Sequence, residues 1–163
     1  MAKLAILGSS GFVGKHLLER ALAAGHSVRT LVRSPEKLGP LRDKVEVIRG
    51  DMHDPAALRA LVAGVDAVIS VAGPPLDRRH HDSERHAAAM QLLVDEMVLA
   101  GVRRIVTIAG AAAEVPGRPL GLRQRLLRLV LRFARPAVIR TKDLEVATLA
   151  ASELVWTVVR PPL

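Results

Sequence analysis

Residues 3–7, Lys-Leu-Ala-Ile-Leu, form a short apolar run without polar alternation, the pattern of a strand buried on both faces. Gly8-Ser9-Ser10-Gly11-Phe12-Val13-Gly14 follows at once, and a stretch of helical spacing over 12–24 runs up to Gly25, the expected C′ residue. Gly-x-x-Gly-x-x-Gly between a buried strand and a helix is a variant of the dinucleotide fingerprint. Its glycines serve a tight turn, close approach of backbone to a pyrophosphate, and close packing of helix on strand. The free amides at the helix start, aided by its dipole, would meet the anion. The expected cradle is therefore the backbone of Gly8, Ser9, Ser10, Gly11, Phe12 and Val13.

The same alternation continues along the chain. SVRTLV (27–32), VEVIRG (45–50), DAVISVAG (66–73), RRIVTIAG (103–110) and LVWTVVR (154–160) read as further strands. Asp54-Pro55 offers an N-cap followed by proline at the first helical position. Helices are expected over about 83–100, 120–133 and 140–151, the last beginning near Lys142. With 163 residues and no linker or repeat, the chain reads as one domain, 1–163. Its expected fold class is α/β, a doubly wound parallel sheet of about six strands.

In such a sheet the end of the second strand reads the adenosine ribose. An acid there would bond both hydroxyls; this chain has Arg33 and Ser34, with Lys37 close behind. A planar guanidinium fork and a hydroxyl suit a 2′-phosphate, so NADP is the expected cofactor. Asp51 and Met52, after the third strand, are expected at the adenine, the carboxylate accepting from its amino group. Val71, Ala72 and Gly73 put small residues where the pyrophosphate and nicotinamide ribose would pass.

Composition removes other chemistries. The chain has no cysteine, hence no disulfide, thiol nucleophile or Cys-ligated zinc, and no tyrosine. Formal net charge is +8, yet segment 118–142 alone holds eight Lys and Arg and no acid, so the remainder balances. Arg125, Arg128, Arg132 and Arg135 share one helical face there, and Leu122, Leu126, Leu129 and Phe133 another. That pattern fits a crossover or lid helix with a solvated basic side, or peripheral docking to a membrane or partner through 120–135. Nucleic acid is not expected as a partner, since only Phe12, Phe133 and Trp156 could stack on bases. His80, His81 and His86 read as a solvated loop leading into a helix, without the further ligands of a metal site. Trp156 reads as core. No run is long enough to span a membrane and the start lacks a cleavage pattern, so a cytoplasmic protein is expected.

GSSGFVGKHL, LVRSPEKL, VIRGDMHDPAAL, DAVISVAG and ASELVWTVVRPPL, in that order, resemble the atypical short-chain dehydrogenase/reductases, specifically the NmrA-like and flavin/biliverdin-reductase-like NAD(P)H-binding group. The resemblance implies a Rossmann-like fold and hydride transfer from NADPH to a small acceptor such as a flavin, quinone or conjugated carbonyl. Common short-chain reductases use a Tyr-x-x-x-Lys pair and a serine. Lys142 fits the lysine, Thr107 lies near the serine, and Val138 stands where the tyrosine would be. Thr107 and Lys142 are thus the expected catalytic residues, with Lys142 also bonding the nicotinamide ribose and Arg160-Pro161-Pro162 passing nearby. The alternatives are a non-catalytic NADP(H) sensor of NmrA-like type and, third, a nucleotide-sugar epimerase or dehydratase. Relatives run on after the WTxxRPP strand, so a shortened C-terminal part and an open pocket are expected.

Overall fold

The computed structural model describes residues 1–73, 82–110 and 112–161. Six parallel strands, β1 (Lys3–Leu7), β2 (Ser27–Val32), β3 (Glu46–Arg49), β4 (Ala67–Ser70), β5 (Arg104–Ile108) and β6 (Val155–Val159), lie in the order β3-β2-β1-β4-β5-β6. The chain winds outward from β1 to β3, then restarts beside β1 with β4 and winds the other way. That reversal opens a crevice beyond the carboxyl ends of β1 and β4, where ligands of such sheets bind.

The helices are α1 (Phe12–Ala23), α2 (Pro55–Val62), α3 (Ser83–Leu99), α4 (Leu122–Ala134) and α5 (Pro136–Ala150). Asp54 caps α2 by accepting from the Ala56 amide at 2.9 Å, and Asp82 caps α3 from Arg85 at 2.8 Å. The crossover from β2 to β3 is made of 3-10 turns over Pro35–Lys44, because Pro35, Gly39 (φ +57°) and Pro40 break any longer helix. Where a helix was expected from 140, α5 starts four residues earlier. Pro136 sits at its first turn, where a missing N–H costs nothing, so Lys142 lies well inside it. The strands are shorter than their apolar runs. β4 stops at Ser70, where the ladder gives way to the single bond from the Val71 amide to the Leu7 carbonyl (3.0 Å).

Each face of the sheet carries its own core. Ile6, Leu18, Val28 and Leu38 pack under α1, while Leu58, Leu61, Val68, Met90, Leu93 and Ile105 pack under α2 and α3. Trp156 packs against the second cluster. Arg29 is buried within β2. Its guanidinium donates to the Ala60, Leu61 and Ala63 carbonyls at the end of α2 and lies 2.8 Å from Glu46, so its charge is paired.

Gly14, in the first turn of α1, seats that helix on β1. A Cβ there would lie 2.1 Å from the Gly8 carbonyl oxygen and 2.5 Å from the Ser9 Cα, both backbone atoms. Gly14→Ala is expected to reduce unfolding free energy by about 3 kcal/mol, read as an earlier midpoint in urea and a lower Tm. An unchanged midpoint would mean that α1 shifts freely on the sheet.

Candidate functional site

The glycine turn is built by steric necessity. Gly8 takes φ +82°, and a Cβ on it would fall 2.6 Å from the Ala72 nitrogen, so only glycine lets the exits of β1 and β4 lie this close. The Gly11 amide closes the turn by donating to the Gly8 carbonyl (3.1 Å). Gly11 is also the N-cap of α1 and has no side chain to cap with, so the first-turn amides face the crevice uncapped. An uncapped helix start above a cradle without side chains fits a pyrophosphate.

The side chains of this turn point elsewhere. Ser9 is fully buried, and its hydroxyl accepts from Thr30 at 2.5 Å beneath the turn. Phe12 is 82% exposed and meets His16 edge-on, with ring centroids 5.0 Å apart. Val13 is also exposed. Ser9, Phe12 and Val13 are not among the residues that line the crevice.

A groove of about 720 Å³ runs through the crevice. Gly8, Ser10, Gly11, Arg33, Asp51, Met52, Val71, Ala72 and Gly73, nine of the residues expected from sequence, line it together. Arg33 is 82% exposed on its side chain, with Nε 3.9 Å from the Asp51 carboxylate. Asp51 also accepts from the His53 amide at 3.0 Å. Ser34 does not line the groove. A backbone hydrogen bond, helped by nearby Ser34, Arg49 and Lys37, holds the exposed Glu36 carboxyl below the usual range. Arg49, opposite Val32 at the end of β3, is an exposed cation that the sequence reading assigned no role.

Behind the groove lies a buried polar cluster centred on Glu145, a residue that the sequence reading passed over. Glu145 is fully buried on α5. It receives Lys142 Nζ at 2.8 Å, His86 Nε2 lies at 3.4 Å, and the Thr107 hydroxyl donates to it. Lys142 Nζ also donates to the Ala72 carbonyl at 3.0 Å, which ties the cluster to the groove wall. Thr107 is buried and its hydroxyl is also 3.2 Å from the Ser70 carbonyl. It faces Glu145, so any part it plays at a ligand runs through Glu145 and Lys142. His86 corrects the expectation of a solvated loop. It is buried in α3 and lines the groove's inner end, because the Asp82 cap starts α3 early enough to turn it inward. His80, His81 and Pro162 lie outside the described residues. Arg160 donates to the Ala113 carbonyl at 3.4 Å.

Burial pushes the Glu145 carboxyl up. The hydrogen bond with His86, the charge and hydrogen bond of Lys142, and the Thr107 hydroxyl outweigh it and hold Glu145 below the ordinary glutamate range. Glu145 is therefore an anion that groups from three elements share, Thr107 on β5, His86 on α3 and Lys142 on its own helix.

Residues 8–163 match the family model described as NAD(P)H-binding. The chain belongs to that family. Among curated proteins it is similar to (4-alkanoyl-5-oxo-2,5-dihydrofuran-3-yl)methyl phosphate reductase of Streptomyces griseus, 39% identical over 68% of this chain and 36% of that protein. It is also similar to ceramide reductase of Caulobacter vibrioides, 33% identical over 69% of this chain and 36% of that one. The chain thus spans about a third of the length of these two relatives. Among solved structures it shares the fold of ChuY, an anaerobillin reductase from Escherichia coli O157:H7 (TM-score 0.78, 23% identity, 98% of this chain and 72% of that one). It shares it too with a short-chain dehydrogenase/reductase from Veillonella parvula in complex with NADP (TM-score 0.75, 17% identity, 98% and 68%). No helix among the described residues is long and apolar enough to cross a membrane.

Glu145→Gln leaves Lys142 beside a neutral amide and is expected to cost about 3 kcal/mol of stability at neutral pH. Because the folded carboxyl is held low, its contribution is complete above the ordinary glutamate range and is lost as pH falls through the folded value. The stability gap between the two proteins in urea should therefore stay constant from about pH 7 to about pH 5 and close below that. A gap that widens on acidification would contradict an ionised Glu145.

Proposed function

We propose that this chain is the coenzyme-binding part of an NADPH-dependent reductase of the atypical short-chain type, which passes hydride to a small conjugated acceptor without a tyrosine acid. The observation that carries it is one groove joining Arg33, the uncapped glycine turn and Gly73, with the Lys142 ammonium fixed against its wall by Ala72 and Glu145. That both curated relatives quoted are named reductases supports the same direction.

The roles follow from the chemistry of each group. Backbone amides over 8–13 bind the pyrophosphate. Arg33, with Lys37 and Arg49 near it, supplies the positive field for a 2′-phosphate. Ser34 does not line the groove, so the guanidinium carries the recognition. Asp51 accepts from the adenine amino group and Met52 packs against the ring. Reduced nicotinamide, when bound, supplies the hydride. Lys142 bonds its ribose and presents a fixed positive charge to the oxygen that becomes anionic on the acceptor. Glu145 holds that ammonium in place, and Thr107 and His86 hold Glu145. The proton that completes the reduction comes from water, which the open groove admits.

A second reading, an NADP(H) sensor, is favoured by the absence of tyrosine and by a Thr107 hydroxyl that donates inward. NADPH oxidation followed at 340 nm against a panel of flavins, quinones and conjugated carbonyls separates the two. Turnover with at least one acceptor, abolished by Lys142→Ala, is expected of the reductase; tight binding with none is expected of the sensor. In calorimetry the chain should prefer NADP to NAD, and Arg33→Asp should weaken NADP by about 1–3 kcal/mol while binding NAD at least as well as before. Equal affinity of the unaltered protein for both nucleotides would remove the role of Arg33.

A further inference from the structure

α4 turns its apolar side away from the protein. Leu122, Leu126, Leu129, Val130 and Phe133 form one stripe along the helix and all are exposed, Leu122 by 85% and Phe133 by 81%. The opposite side is anchored. Arg128 bonds the Ala112 carbonyl at 3.0 Å, Glu114 at 3.1 Å and Asp143 at 3.0 Å, between half-buried Leu127 and Leu131. The rotation of the helix is therefore fixed with its stripe outward. Arg125 and Arg132 border that stripe on one side and Arg123 on the other, all exposed, and segment 118–142 contains no acid.

We propose that α4 is an interfacial helix that docks this protein on an anionic phospholipid bilayer. Its stripe runs the length of 13 residues, about 20 Å, far too short to span a bilayer and suited to lying in the headgroup layer. Leucine, valine and phenylalanine enter the acyl boundary, and the flanking guanidinium groups snorkel to lipid phosphates. Arg118, Arg125 and Arg132 also edge a cavity of about 960 Å³ beside α4, lined by Leu120 and Leu129 and by Glu114 and Asp143, both of which Arg128 pairs. A second copy of this chain fits worse. Stripe-to-stripe pairing would bring the arginines of one α4 against those of the other with no carboxylate between them. The surface is separate from the coenzyme groove, and the proposal stands without the reductase reading.

The test is cosedimentation of the full chain with vesicles of phosphatidylcholine alone or mixed equally with phosphatidylglycerol. Binding is expected to the mixed vesicles and not to phosphatidylcholine, weakening as salt rises from about 0.05 to about 0.5 M. Leu126→Ser with Phe133→Ser keeps every charge and should weaken binding by about tenfold or more, at an unchanged melting temperature. Arg125→Gln with Arg132→Gln should also weaken it and flatten the salt dependence. No binding to the mixed vesicles, equal binding to both kinds, or undiminished binding by the serine variant would overturn the proposal. So would light scattering that finds a dimer which the serine variant dissolves, since the stripe would then belong to a second copy.

Discussion

The approach of two backbones at Gly8 and Ala72 is the constraint on which the rest of this molecule depends. β1 and β4 are neighbours that the winding of the chain forces apart as soon as each strand ends. Keeping their exits in contact needs a residue without a Cβ at position 8, and seating α1 over them needs another at position 14. Those two requirements, more than the phosphate chemistry, explain the outer glycines of the turn. Gly11 answers a different need. A Cβ there would meet only the Gly8 oxygen, at 3.3 Å, and its contribution is an N-cap that leaves the helix start without a side chain over it. Packing thus demands the first and last glycines, and an open anion cradle follows at the middle one.

The second organising group is the Glu145 carboxylate. A fully buried anion is costly to desolvate unless it is bonded on several sides, and this one draws partners from β5, α3 and its own helix. Ser83 and Thr141 bond one another at 2.9 Å on the same helix pair, so α3 and α5 are joined by polar contacts near the groove and by apolar ones further down. Ser70 Oγ remains buried without a partner among the described residues, on the β4 position next to Thr107. The cluster therefore links the groove wall at Ala72 to the packing of two helices, and a change at Lys142 would be felt in both.

The parallel sheet, its winding and the glycine turn were legible in the sequence because period and position carry them. Buried parallel strands lack alternation, and glycine triplets between strand and helix have few other uses. Nine of the expected site residues meet in one groove because each stands just beyond the end of a strand, a location that topology alone determines. What stayed hidden depends on side-chain direction. Glu145 was given no role from sequence, and nothing in its neighbours along the chain marks its burial. Its signal is combinatorial, since Thr107, His86 and Lys142 come from three separate elements. Thr107 was expected as an open hydroxyl, but Glu145 stands close enough to engage it. A carboxylate is a stronger acceptor than water in a half-dry site.

The same limit explains α4. An amphipathic pattern separates two faces, but it cannot by itself tell which of them turns inward, because the usual answer assumes that the apolar face has a core to join. Here the apolar floor between β5, β6 and α5 is already filled by residues such as Leu149, Leu154 and Trp156. What is left facing α4 keeps apolar residues such as Val146 and Ala147 but is edged by acids. Asp143 on α5 and Glu114 in the preceding loop are two acids that would go unpaired without a cation. Arg128 can satisfy both at once with its guanidinium fork, and doing so rotates Leu122, Leu126 and Phe133 outward. Had residue 143 been apolar, the leucine stripe would have had reason to turn in. The pairing of Arg128 with Asp143 and Glu114 thus goes with the surface that the chain's most basic segment shows to its surroundings.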